Sequence, residues 1–431
     1  MARVSDHPIT RDHPIAKIPM DVPFNDSASK GPLFSVRVLD LTTLFMGPTA
    51  TQILGDFGAD VIKIEPPEGD VVRAIGPHGE RGMGPMFLNV NRNKRSLVLD
   101  LKTKPGREAL LRLARRADIL IYNVRPAAMA RLGLAYDDLR QANPQIIYVG
   151  TFGFSRRGRY APEAAVDDAI QAAVALPHAA VMNGSDVPRY APINIVDRSV
   201  GIYAMGVVCA ALFARERTGV GQAIDVPMFE TMTNYVLSEH LYGQTFVPPE
   251  GGFGYPRIVN AYRRPYKTKD GYVCAVVYTD AQWKSFLSLV GKSDLMAADP
   301  RLKDMTSRTE HVEALYKFVS EELEQRTTAE WRAALIPLGI PVFAMNTFDS
   351  LLEDPHLAEI GFFQEVDHPS EGRVRIMACP TEWSATPPGI RRLAPQLGEH
   401  SREVLSEVGY SEAEIDELIA SGVTCAPETK G

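Results

Sequence analysis

The residue best placed for covalent chemistry is Asp197, in APINIVDRSVGIYAMG. An apolar segment ends at Val196, the aspartate follows, and a long apolar helix starts almost at once. An aspartate there most simply caps the helix, its carboxylate accepting unpaired backbone N–H groups of the first turn. The placement also suits a nucleophile, because a carboxylate at a helix entrance with an apolar wall behind it can face a pocket. The two roles are compatible, since the helix dipole favours the ionised carboxylate. Asp167 and Asp168, in AAVDDAIQAA, form a second acidic pair for which capping is the expected role. Arg125, in NVRP, and Arg131, in AMARLGL, follow the end of a strand, where ligands bind in open α/β sheets. The rigid donor fork of arginine suits phosphate. NRNKRS (91–96) sets Lys94 and Arg95 just before another strand. Singly, each basic residue reads as a solvated charge; together they would serve a ligand with several phosphates.

The elements that must position these residues alternate. SVRVLDLT (35–42) reads as a strand, GPTATQILGDFGA (47–59) as a helix, and DVIKIEPP (60–67) as a strand stopped by two prolines. SLVLDL (96–101), DILIYN (118–123) and QIIYVGTFGF (145–154) continue the strands, with helices expected over 104–117 and 127–143. The near-continuous apolar strands suit a sheet covered on both faces. The fold class is α/β, with a Rossmann-like, doubly wound large domain. SVGIYAMGVVCAALFAR (199–215) is expected to be a core helix, and EGGFGYP (250–256) a flexible glycine-rich loop. The expected organisation is an N-terminal arm (1–30), the first part of the large domain (31–230), a smaller α+β domain (231–345), and a C-terminal segment (346–431) returning to the large domain.

Several chemistries are disfavoured. The chain has no GxGxxG, GxxxxGK[ST], GxSxG or HExxH motif, and His78, His178 and His240 stand alone. Four dispersed cysteines form no CxxC pair, so neither a disulfide framework nor a metal site is expected. In 431 residues the net charge is -7, which argues against a general nucleic-acid binder. The first residues lack the apolar core of a signal peptide. No apolar stretch reaches the roughly 18 residues of a membrane span. A cytoplasmic enzyme with no membrane or nucleic-acid partner is expected.

Several segments, in order, resemble the family III CoA-transferases, relatives of formyl-CoA transferase and carnitine CoA-transferase. They are LDLTTLFMGPTATQILGDFGADVIKIEPPEGDVVR, NRNKRSLVLDLK, ADILIYNVRP, RLGL, the stretch from Asp197 to GVGQ, GIPVFAMNTFDSLLEDPHLAEIGFF and APQLGEHSREVLSEVGYSEAEI. The resemblance implies that Asp197 is the nucleophile, passing through an aspartyl anhydride and an aspartyl–CoA thioester. It implies an acyl-CoA donor and a carboxylate acceptor as substrates, no permanently bound cofactor and no metal. It places CoA against Leu99, Asp100, Leu101 and Lys102, against Asn123, Val124 and Arg125, and against Arg131. Phe45 and Met46 fall after the first strand, Phe45 where some relatives carry a polar residue that holds a small substrate. The GGFG loop falls where formyl-CoA transferase has a more glycine-rich gate. An intertwined homodimer is also implied. Two alternatives stand beside this reading. Relatives of the same fold racemise or isomerise 2-methylacyl-CoA with an acid/base pair that includes a histidine near 166–167; here Val166, Asp167 and Asp168 stand there. The other is a non-catalytic CoA-binding protein.

Overall fold

In the computed structural model, residues 30–77 and 82–427 are described. The arm expected over 1–30 lies, apart from Lys30, outside them, as does His78. The chain opens with β1 (Arg37–Leu41), α1 (Met46–Asp56) and β2 (Asp60–Glu65). There follow α2 (Pro85–Val90), β3 (Lys94–Val98), α3 (Lys104–Ala114), β4 (Ile119–Tyr122), α4 (Pro126–Arg131), α5 (Tyr136–Ala142) and β5 (Ile147–Phe152). The next run is α6 (Asp167–Ala173), α7 (Leu176–Met182), α8 (Ile195–Thr218), β6 (Ala223–Pro227) and α9 (Met228–His240).

The six strands form one parallel sheet in the order β3-β2-β1-β4-β5-β6. Alternate residues of each strand serve opposite faces. Leu39, Leu120 and Tyr122 pack under α3 and the C-terminal helices Ser401–Glu407 and Glu412–Ala420. Val38, Ile119 and Ile121 pack under α1 and α8. Both faces are covered, which is why the strands read as apolar runs. The chain reverses direction across the sheet between β1 and β4, and this opens a crevice at their C-terminal ends.

Three expectations change. The helix expected over 127–143 is two, α4 and α5, because Gly133 turns the chain at φ 69°. Lys94 and Arg95 lie within β3 and are buried, not poised at its entrance. Lys94 pairs with Asp40 of β1 at 3.0 Å, both side chains fully buried. Arg95 is spent on Asp60, Glu403 and Glu407. Neither is free for phosphate. Finally, α8 is not wholly a core helix. Its Val200, Ala204 and Val208 face the sheet, while Ile202, Tyr203 and Phe213 are exposed. At 24 residues it is also long and apolar enough to cross a membrane by composition, contrary to the expectation. The helix starts at Ile195, four residues before the expected start at Ser199, and so takes in the charged Asp197 and Arg198.

Beyond α9, β7 (Tyr266–Lys267), β8 (Tyr272–Ala275) and β9 (Val342–Ala344) form an antiparallel sheet. It has its own core around Trp283, Phe286 and Trp331. A hairpin, β10 (Phe363–His368) and β11 (Gly372–Met377), precedes the two C-terminal helices.

Candidate active site

A cleft of about 460 Å³ lies at the C-terminal ends of β1, β4 and β5. The β1–α1 loop brings Thr43, Leu44 and Phe45 into it, and α1 brings Met46. The β4–α4 turn brings Asn123 and Arg125. The segment after β5 brings Phe154 and Arg156, and α6 and α8 bring Asp167 and Asp197.

The β1–α1 loop is fixed from two sides. Asn123 Nδ2 donates to Thr43 O at 2.9 Å and its Oδ1 accepts from Thr43 N at 3.2 Å. From below, the fully buried Lys63 donates to Thr42 O at 2.9 Å and to Asp70 at 2.8 Å. Asp70 in turn accepts from Leu44 N at 3.4 Å. Leu44 is held at φ 67°, a conformation uncommon for a branched residue and tolerated only where the surroundings impose it. Asp40 beneath this layer is drawn down to about 2: burial opposes ionisation, but Lys94, Lys63 and two threonine hydroxyls outweigh it. Lys94 is lowered to about 8, chiefly by burial.

Asp197 does not cap α8. It is the third helical residue, after Asn194, Ile195 and Val196, and its own N–H donates to Asp167 Oδ2 at 2.9 Å. Asp167 therefore satisfies a first-turn donor of α8 from another helix, the service Asp197 was expected to perform. Gln171 Nε2 steadies the other Asp167 oxygen at 2.6 Å, and Ala191 N donates to Gln171 Oε1 at 2.9 Å. Released from capping, the Asp197 carboxylate lines the cleft with only 8% of the residue exposed. Its pKa is pushed up to about 6, first by burial and then by the nearby Asp167 carboxylate, against a smaller opposing pull from Arg198. The expected ionising effect of the helix dipole is outweighed. Arg198 itself is held by Thr49 Oγ1 at 3.0 Å and lies 5.6 Å from the centre of the Phe45 ring.

One turn along α8, Gly201 lets that helix touch α1. A Cβ at this position would lie 2.6 Å from Met46 O. The contact brings the N-terminus of α1 beside Asp197. No side chain caps the first turn of α1, and Phe45 and Met46 at its start line the cleft. The arrangement sets a buried carboxylate beside an uncapped helix start, and acyl transfer through a covalent carboxyl intermediate needs a carboxylate with backbone donors nearby.

Residues 33–401 match the profile of CoA-transferase family III. The chain belongs to that family. This family III CoA-transferase is 32% identical over 409 residues to an acyl-CoA transferase of Fusarium pseudograminearum, covering 92% of this chain and 89% of that one. It is 30% identical over 413 residues to succinyl-CoA:glutarate CoA-transferase of Mus musculus, covering 95% and 94%. It is 31% identical over 413 residues to formyl-CoA:oxalate CoA-transferase of Escherichia coli, covering 89% and 97%. The crystal structure of a CAIB/BAIF family protein from Brucella suis superposes with a TM-score of 0.71 at 29% identity, over 88% of this chain and 100% of that one. The protein is an enzyme that transfers CoA.

Of the residues singled out in the sequence, the structure gathers Phe45, Met46, Asn123, Arg125 and Asp197 around one cleft. Val124 is exposed in the same turn. Leu99, Asp100, Leu101 and Lys102 follow β3, and Arg131 ends α4; none of them lines the cleft. The Leu99 side chain is sealed in the core, which leaves only its backbone for a ligand. Asp100 is engaged through its backbone with Val423 and Thr103. Two further cleft residues emerge only from the structure, Asp167 in its contact across helices and Arg156, for which the run SRR after a strand end is the signal in the sequence.

Proposed function

We propose that this family III enzyme moves CoA between carboxylic acids by covalent catalysis on Asp197. The observation carrying this reading is a carboxylate more than nine-tenths buried at the floor of a cleft, freed from capping by Asp167. In the first step an Asp197 oxygen attacks the thioester carbonyl of the donor, the C–S bond breaks, and CoA leaves as thiolate. The product is a mixed anhydride. The thiolate then attacks the Asp197 carbonyl, the donor's acid departs as carboxylate, and an aspartyl–CoA thioester remains. The acceptor carboxylate attacks that thioester and expels the thiolate. The thiolate closes the cycle at the acceptor's carbonyl, releasing the new thioester and Asp197. The raised pKa of Asp197 makes its ionised form more basic than an ordinary carboxylate, which favours attack. The first-turn N–H groups of α1 supply donors for the tetrahedral oxyanions.

The nucleotide portion of CoA is assigned to the side of the cleft away from β5 and β6, toward Asn123–Arg125, Arg131 and, at the β3 edge, the backbone of Leu99–Lys102. The names of several relatives point to short dicarboxylic acids as substrates. The exposed apolar side of α8 and α9, with Ile202, Tyr203, Phe213 and Tyr235, supports assembly with a second copy, as an intertwined homodimer would require. A cytoplasmic location and a lid role for the GGFG loop complete the proposal. Both Asp167 oxygens accept hydrogen bonds and no described histidine lines the cleft, which favours transfer over the isomerase alternative.

The test is mass analysis of the intact protein after incubation with succinyl-CoA. An adduct that maps to Asp197 and is absent in Asp197→Ala is expected. An unmodified chain during measurable transfer would overturn the covalent route.

A further inference from the structure

The cleft has a cation that CoA recognition on the β4 side does not use. Arg156 follows β5 and lines the same cleft as Asp197, on the side toward β6. Its root is fastened to α9. Phe229 N donates to Gly153 O at 2.9 Å, Ser155 N donates to the Glu230 carboxylate at 3.0 Å, and the Phe154 and Phe229 rings lie 5.7 Å apart. Its guanidinium is fastened as well, Nε donating to Asp225 Oδ2 of β6 at 2.6 Å. A guanidinium oriented through Nε turns its outer N–H groups elsewhere, and no other described residue accepts a hydrogen bond from Arg156. Glu163 and Asp168 also line the cleft, yet neither pairs with it. About half of the side chain is exposed, so the charge is reachable. The walls of the cleft that Arg156 shares with Asp197 include the apolar Phe45, Phe152 and Met228.

We propose that Arg156 is a specificity-determining residue that binds the far carboxylate of a dicarboxylic substrate whose near carboxyl reacts at Asp197. A planar fork fixed by Asp225 matches a carboxylate in two parallel hydrogen bonds. The apolar walls suit the methylene spacer between the two acid groups. The assignment rests on the CoA-transfer reading and adds to it the reason for choosing among acids. A phosphate of CoA is also an oxyanion, and the test separates the two.

Steady-state transfer is measured with succinate, glutarate and butyrate as acceptors and butyryl-CoA as donor, in the wild type, Arg156→Gln and Arg156→Lys. Loss of a charge-assisted bidentate contact raises KM for succinate and glutarate about 10- to 100-fold in Arg156→Gln. The KM values for butyrate and butyryl-CoA stay within about twofold, and Arg156→Lys recovers part of the loss. Calorimetric titration with free glutarate, which needs no turnover, shows weaker binding in Arg156→Gln at unchanged butyrate binding. An equal rise in KM for butyryl-CoA assigns Arg156 to a CoA phosphate and overturns the proposal. So does a wild type that uses butyrate as well as glutarate, although CoA transfer itself then stands. A wild type that transfers CoA to none of the acids while binding glutarate through Arg156 refutes the activity and leaves the carboxylate site intact.

Discussion

Replacing Asp197 by Asn should abolish turnover and make the protein more stable. The folded state holds this carboxyl near a pKa of about 6, against 3.8 for the free side chain. An acid whose pKa rises on folding is bound more tightly to its proton in the folded state, so ionising it at neutral pH weakens the fold. The shift of about two pH units corresponds to roughly 3 kcal/mol, present in full above about pH 6 and fading as the pH falls toward the unfolded value. Asparagine keeps the shape and carries no charge to desolvate. For a chain of this size, with an unfolding entropy near 0.9 kcal/mol per kelvin, relief of that penalty raises Tm by about 3 °C near neutral pH. At pH 5 linkage leaves only about half of the difference. Thermal unfolding of the wild type and Asp197→Asn at both pH values reads this directly. A variant no more stable than the wild type would refute the reasoning, as would a gain equally large at pH 5. The second outcome would trace the effect to packing, not charge. A site that is destabilising because it is reactive is the usual form of the stability–activity conflict.

Three other outcomes follow from the same geometry. In a pH profile of kcat/KM, the acid limb should fall near the Asp197 value of about 6, and Asp167→Asn, which removes the neighbouring charge but keeps an acceptor for Asp197 N, should move that limb to lower pH. Lys94→Met leaves Asp40 buried without its main counter-charge and should cost about 3–5 kcal/mol in denaturant unfolding, with loss of activity as the β1–α1 loop loosens. Gly201→Ala drives a methyl group against Met46 O and should cost about 1–3 kcal/mol, with kcat falling more than the change in melting temperature alone explains.

The strands, the parallel sheet and the loops at its C-terminal edge were legible because burial on both faces writes long apolar runs into the chain. Arg125 was legible at the cleft because it follows a strand end, whereas Asn123, and Asp197 as more than a cap, were singled out by the family resemblance. What failed was whatever depended on a distant partner. Lys94 and Arg95 looked like surface charges because Asp40, Glu403 and Glu407, which neutralise them, lie 54, 308 and 312 residues away. Asp197 looked like a cap because the residue that replaces it in that role comes from another helix, 30 positions earlier. The exposed side of α8 was hidden for a related reason. Its composition is apolar all round, and composition alone does not say which side meets the sheet.

Asn123 carries a final implication. Its side chain engages both the N–H and the C=O of Thr43, so a single amide serves as an extra rung between the ends of β4 and β1. The turn assigned to CoA and the loop that presents Phe45 are thereby one mechanical piece. On the proposed assignment, a thioester that settles against the first reaches the second already in register. The enzyme meets much of the entropic expense of lining up its reactants when it folds, before either substrate arrives.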